Sequence, residues 1–219
     1  MKYHSHADLG GEEGHGPVVP EPEAQLFHAA WEARALAITL AAGGMGAWNI
    51  DMSRAARETL PRYRQSSYYR IWLDALEKLL AERGFVSADE LGAGHSLHTG
   101  PPPPRVLQAA AVGTALARGS PTQRVAAQPQ RFQLGDRVRA CSGPFAHHTR
   151  LPAYARQHNG VIARVHGCHV FADAHAQGQG EQPQWLYSVA FHAAELWGAQ
   201  GDAGQTVSID AWESYLEPA

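Results

Sequence analysis

Four consecutive prolines, Pro101 to Pro104, stand near the middle of the chain. Their fixed φ and missing N–H groups exclude both a continuous helix and a central strand at that point. The pattern differs on the two sides. Apolar residues recur at three and four residues before the prolines, and fall in short alternating runs after Phe132. Together with the Ala-rich Val106–Arg118, whose composition suits a helix, residues 92–130 read as a linker. Such a stretch is long for a compact domain unless it wraps a neighbour or joins two units. The expected division is an N-terminal arm and helical domain over residues 1–91, this Pro/Ala-rich linker over 92–130, and a β-roll domain over 131–219.

Residues 1–23, rich in Gly, Pro, His and Glu, have neither helical nor strand periodicity and are expected to form an extended arm. Leu26 to Leu40 fit a helix, with Gly43-Gly44 as its stop. A second helix is expected from about Asp51 to Thr59, capped by Asp51 or Ser53 and closed by Pro61. The clearest is Ser66–Arg83, where Tyr68, Ile71, Trp72, Ala75, Leu76, Leu79 and Leu80 share a face and Gly84 sits at the terminator position. Ser87-Ala88-Asp89-Glu90 is a capping box for a fourth.

Beyond the linker, Arg137–Cys141, Gly160–His166, Trp185–His192 and Thr206–Asp210 read as strands separated by Gly, Pro and Asn turns. The fold class expected is α+β: a helical N-terminal half with an extended arm, a linker, and a small C-terminal antiparallel β-roll or barrel, Src-homology-3-like, of about five or six strands.

Hydrophobic residues at 44% and charged residues at 18% exclude a wholly disordered chain. Lys+Arg 18 against Asp+Glu 21 gives −3, too little positive charge for a general phosphate-binding surface, so no nucleic acid partner is expected. No apolar run approaches the roughly 18 residues of a membrane span, and the first residues contain no apolar signal region. Cys141 and Cys168 cannot supply a disulfide framework or a four-cysteine metal site. A cytoplasmic protein without membrane contact is the expectation.

The one close Cys/His cluster is His166-Gly167-Cys168-His169. Strand periodicity would place His166 and Cys168 on one face and His169 on the other, and two ligands do not close a metal site. The common hydrolase, kinase, dehydrogenase and metalloprotease motifs are missing, so the chain does not read as a self-sufficient enzyme. More telling is the grouping of Arg54, Arg57, Arg62, Arg64 and Arg70 with Tyr63, Tyr68, Tyr69 and Trp72, and a second block from His147 to Arg156. Arginine beside aromatic residues suits interfaces and oxyanion recognition, because guanidinium gives paired donors and stacks on rings. The same pattern also suits a solvated helix face over aromatic core residues.

Several segments in order carry a family resemblance. They are Asp8-Leu9-Gly10-Gly11, Gly14-His15-Gly16-Pro17-Val18, Phe27–Trp31-Glu32, and Ser67-Tyr68-Tyr69 with Trp72. In the second half they are Phe132-x-x-Gly135-Asp136-x-Val138-Arg139, His148-Thr149-Arg150-Leu151-Pro152-x-Tyr154-x-Arg156 and Asn159-Gly160-Val161-Ile162. His166-Gly167-x-His169-Val170-Phe171-x-Asp173, Tyr187-x-Val189-x-Phe191, Glu195-Leu196-Trp197-Gly198 and Trp212-Glu213-x-Tyr215-Leu216-Glu217-Pro218-Ala219 complete them. In these segments the chain resembles the β subunit of nitrile hydratase, over nearly its whole length and most strongly from residue 131.

The resemblance implies an enzyme of two unlike chains, an αβ heterodimer that often pairs into α2β2, hydrating small-molecule nitriles to amides. Its ion, a low-spin non-haem Fe(III) or a non-corrin Co(III), would be held by the α subunit through cysteines, two of them oxidised, and not by this chain. The β subunit would close the active site and supply two arginines to the oxidised cysteine oxygens. Arg150 matches one and Arg54 the other, with Arg57 as the alternative because the segment from Arg54 to Tyr68 is slightly short for the family. Tyr68 would present its hydroxyl toward the reacting centre, while Tyr69, Trp72 and Leu36 would line the substrate pocket.

Two other expectations stand beside it. A non-catalytic, metallochaperone-like activator resembles the helical half but lacks the C-terminal roll with Arg150. A thiocyanate hydrolase-type subunit carries the two halves on separate chains, whereas here they are joined.

Overall fold

A computed structural model describes residues 3–143, 145–202 and 204–219, and the chain forms two compact units, His4–Gly119 and Ser120–Ala219 with Tyr3.

In the N-terminal unit, residues 4–29 carry no helix or strand. They are tied down by His6 N–H donating to the Glu58 carbonyl (2.7 Å) and by Arg64 pairing with the Glu12 carboxylate (2.5 Å). Helix α1 (Ala30–Gly44) starts four residues later than the apolar spacing predicts. Buried Glu32 reaches back to accept from the His28 N–H at 2.6 Å, fixing the entry to the helix at that point. At the other end α1 runs through Gly43-Gly44, the predicted stop. A Cβ at Gly44 would lie 3.0 Å from Leu107 Cδ2, and Arg105 Nε donates to the Gly44 carbonyl at 2.8 Å. The glycine therefore serves close packing by the segment after the prolines, and the left-handed turn falls at Gly46 (φ +74°).

Helix α2 (Ile50–Glu58) is capped by Asn49, whose Oδ1 accepts from the Met52 N–H at 2.9 Å, and not by Asp51 or Ser53. Asp51 lies in the first turn, where the positive end of the helix dipole favours it. Helix α3 (Tyr68–Glu82) buries Ala75, Leu76 and Leu79 and ends before Gly84 at φ +70°, as the spacing predicts. Helix α4 (Ala88–Ala93) has the predicted capping box between Ser87 and Glu90. Of the Ala-rich stretch, Val112–Arg118 forms helix α5, preceded by a 3-10 turn at Ala109–Ala111. The core of this unit is Trp48 and Ala56 packed with Ala75, Leu76 and Leu79.

The C-terminal unit is a six-stranded antiparallel sheet of β1 (Gln123–Arg124), β2 (Arg137–Ala140), β3 (Asn159–His169), β4 (Gln184–His192), β5 (Thr206–Trp212) and β6 (Leu216–Pro218). The order is β5-β4-β3-β2-β6, with β1 also on β3. Two short helices, α6 (Ala172–Ala176) and α7 (Ala193–Trp197), follow β3 and β4. Alternation in β4 places Tyr187, Val189 and Phe191 fully inside, each contributing about 1.5–3 kcal/mol by burial. The α+β class expected from the pattern is the class observed.

One strand departs from simple alternation. The register of β3 against β4 shifts between Val165 and Gly167, where Gly167 takes φ +100°. That bulge sends His166 outward to Ser188 Oγ (2.7 Å) while Cys168 is buried, so the two do not share a face as a period of two predicts. Among the described residues no helix is long and apolar enough to cross a membrane.

Candidate functional site

Chemistry-bearing side chains gather in one place in each unit. In the N-terminal unit, the pairing of α2 with α3 brings Arg54, Arg57, Tyr68, Tyr69 and Trp72 into one neighbourhood. Arg54 Nη1 pairs with Asp51 Oδ1 at 3.1 Å, the carboxylate buried and the guanidinium half-exposed. Arg57 lies one turn on. Its Nε donates to the Ser53 carbonyl (3.2 Å), and its guanidinium covers the Trp72 ring at 4.6 Å. Burial, and then the neighbouring Arg54 charge, pull the Arg57 pKa down, and a guanidinium remains a cation regardless.

Trp72 continues into an aromatic group. Tyr68 and Tyr69 meet edge to face at 5.2 Å, Tyr68 lies 5.7 Å and Tyr69 6.4 Å from Trp72, and Phe27 closes on Tyr69 at 5.4 Å. Tyr68 is 64% exposed on this chain. Leu36 is half-buried on α1. The geometry is an apolar aromatic patch edged by the Arg57 cation, with the Arg54 charge close enough to act on it, which suits an uncharged organic ligand beside an anionic group.

In the C-terminal unit, Arg150 is exposed between buried neighbours His148, Thr149 and Leu151. Its backbone N–H donates to Tyr215 Oη at 2.9 Å, and Thr149 Oγ1 donates to the same oxygen at 3.1 Å. Tyr215 in turn donates to Asp173 Oδ1. Burial pushes the Asp173 carboxyl up, against the hydrogen bond from Tyr215. Burial and the facing carboxylate push the Tyr215 phenol well above its ordinary range, so it remains a donor. On the next stretch, Arg156 donates to the Leu151 carbonyl (2.9 Å) and stacks on Phe145 at 5.0 Å.

Sequence reasoning did not single out Asp173, Thr149 and Tyr215 as site residues. Asp173 and Tyr215 stand in the segments that carry the family resemblance, and that was their only signal. Arg54, Arg57, Tyr68, Tyr69 and Trp72 are brought together, whereas Arg150 stands in the other unit. Among the described residues no group of three or more His, Cys, Asp or Glu side chains could hold a metal ion. Burial raises the pKa of both Cys141 and Cys168, which leaves neither as a ready thiolate.

The family model for the nitrile hydratase beta subunit N-terminal domain matches residues 3–118, and the model for its C-terminal domain matches residues 121–218. A nitrile hydratase subunit beta of Pseudomonas putida is 35% identical over 215 residues, covering 97% of this chain and 98% of the relative. A low-molecular weight cobalt-containing nitrile hydratase subunit beta of Rhodococcus rhodochrous is 35% identical over 224 residues, again 97% and 98% of the two chains. A thiocyanate hydrolase subunit alpha of Thiobacillus thioparus is 35% identical over 91 residues, covering 41% of this chain and 72% of that one. With both of the family's halves matched in order along one polypeptide, the chain belongs to the nitrile hydratase β-subunit family.

Proposed function

We propose that this chain is the β subunit of a cytoplasmic nitrile hydratase, a lyase that hydrates nitriles to amides only as a complex with an α subunit, in αβ or α2β2 form. The observation that carries this reading is the match to both family halves on one chain, over 97% of its length and 98% of a cobalt-containing relative. The thiocyanate hydrolase relative matches over 41% of the chain.

The described residues do not fit the family's metal, Co(III) or Fe(III), because no group of three donors among them could hold it. In this reading the ion belongs to the α subunit. This chain's part is to bind, orient and exclude water. Arg150, with Arg54 or Arg57, donates paired, charge-assisted hydrogen bonds to the oxidised cysteine oxygens of the partner, which are anionic and costly to bury without such donors. Covering them also shields them from solvent and reductants. Tyr68 turns its hydroxyl toward the reacting centre, and Tyr69, Trp72 and Leu36 form the apolar wall against which a nitrile packs. In this reading the exposed residues of the 92–130 linker, between an arm and helical domain (1–91) and the β-roll domain (131–219), lie against the partner, while Arg105 and Leu107 hold to α1 and β1 to the sheet.

The test is to co-express the chain with its α partner and follow amide and carbonyl sulfide formation. Amide from nitriles, with kcat reduced at least about tenfold in Arg150→Lys, is the expected result. Carbonyl sulfide from thiocyanate would replace the reading with the hydrolase, and an Arg150→Lys enzyme within about threefold of wild type would remove the role of that arginine. Transient, substoichiometric binding to α would favour an activator.

A further inference from the structure

The geometry points to Asp173 and Tyr215 as a buried clamp whose function is to position Arg150. This inference rests on the role proposed above for that arginine.

Tyr215 holds the chain at two separated points. Its backbone carbonyl accepts from the Cys141 N–H at 2.8 Å, where the chain leaves β2, and its hydroxyl oxygen accepts from Thr149 and from the Arg150 N–H. One residue thus secures the departure from the sheet, through its backbone, and the backbone from which Arg150 projects, through its side chain. Asp173, at the start of α6, accepts the proton of that hydroxyl and is itself hydrogen-bonded by the Thr149 side chain and the Arg150 backbone N–H, so carboxylate and phenol hold the same two residues together.

The composition of this cluster argues for position over stability. Tyr215 is 2%, Asp173 8% and Thr149 8% exposed. A carboxylate at such burial costs stability, and apolar residues of similar volume there are often neutral or better. What polar groups provide and apolar ones do not is a fixed direction. The ring packing of Tyr215 against Phe145, Phe171 and Trp212 (5.9, 5.8 and 6.0 Å) does not need the hydroxyl, so a phenylalanine keeps the core and removes the phenol's part of the clamp. An arginine whose backbone is already fixed loses less freedom on meeting an anion, and holds it in one geometry.

The experiment is a mutant cycle on the αβ complex, reading kcat, KM and metal content. Tyr215→Phe is expected to lower kcat at least about tenfold with KM and metal per αβ pair unchanged, and to add nothing further in the Arg150→Lys background. Asp173→Asn, which retains an oxygen that accepts from the phenol, is expected to stay within about threefold of wild type, while Asp173→Ala follows Tyr215→Phe. If Tyr215→Phe does not assemble, the Asp173 pair gives the same reading. Wild-type kcat in Tyr215→Phe and Asp173→Ala beside a crippled Arg150→Lys overturns the clamp. Losses that multiply with Arg150→Lys also overturn it, because the tyrosine would then act elsewhere. Wild-type kcat in Arg150→Lys itself overturns the role of Arg150 instead.

Discussion

The Arg57 guanidinium lies 4.6 Å from the centre of the Trp72 ring, while Arg54, three residues earlier, is engaged by the buried carboxylate of Asp51. The two arginines that compete for one role therefore occupy different surroundings. Arg57 is stacked on the aromatic group, and Arg54 reaches back to Asp51 in the first turn of its own helix. Trp72→Leu is expected to remove a cation–π contact of about 1–2 kcal/mol, since the guanidinium is partly desolvated. Measured on the assembled enzyme, Arg57→Lys should lower kcat if Arg57 is the donor and Arg54→Lys if Arg54 is, while Trp72→Leu also alters the pocket wall and does not decide between them. Loss in only one of the two arginine variants identifies the donor.

Gly160 lies near the start of β3, paired with Val138 of β2 and close against β4. An added Cβ would meet Val189 Cγ1 at 2.6 Å, the Ala190 carbonyl oxygen at 2.9 Å and Phe191 Cε1 at 3.1 Å. Val189 and Phe191 are fully buried, so neither has room to give way. Gly160→Ala is expected to destabilise the C-terminal unit by about 1–3 kcal/mol through overpacking. Denaturant unfolding followed by the tryptophans of that unit checks it, and an unchanged midpoint would show that the sheet opens to accept the methyl.

Some of this was legible in the sequence, and the exceptions have physical reasons. Helix α3 and the Ser87 capping box were legible because local spacing specifies them. The end of α1 was not, since Gly44 is kept helical by Leu107 and Arg105, more than sixty residues along the chain. Strands β1 and β6, two and three residues long, are too short to show alternation. The bulge at Val165/Gly167 reversed the face of His166 because one inserted residue defeats a period of two. In the candidate site, Arg54, Arg57, Tyr68, Tyr69 and Trp72 stand out in the sequence as a cluster, and their expected roles come from the family resemblance. The Asp173–Tyr215 pair spans 42 residues and joins a short helix to a 3-10 turn, so no spacing rule brings it together.

The cap of α2 gives a smaller, cleaner test. Asn49 Oδ1 satisfies the Met52 N–H, one of the donors a helix leaves orphaned at its start. Asn49→Ala is expected to cost about 1 kcal/mol, and Asn49→Asp to cost little, because a carboxylate accepts the same bond and favours the helix N-terminus. Thermal unfolding of the two variants side by side separates capping from side-chain size.

Glu90 provides the pH dependence. Its carboxylate accepts from the backbone N–H groups of Ser87, Leu97 and His98 (2.9, 2.9 and 3.1 Å), and these bonds, with Ser87 first, lower its pKa from 4.5 to about 2. A carboxyl whose folded pKa is lowered binds protons more weakly when folded. Its contribution is therefore complete above pH 4.5 and is lost as pH falls toward about 2. Glu90→Gln, which keeps an acceptor oxygen and cannot titrate, is expected to lower stability at neutral pH by the contribution of the ionised carboxylate and to flatten the fall across that window, so that variant and wild type converge in acid. Denaturant midpoints at pH 5 and pH 3 test this. Equal slopes for wild type and variant would mean that the segment joining Ser87 to His98 loosens in acid before the carboxyl takes up its proton.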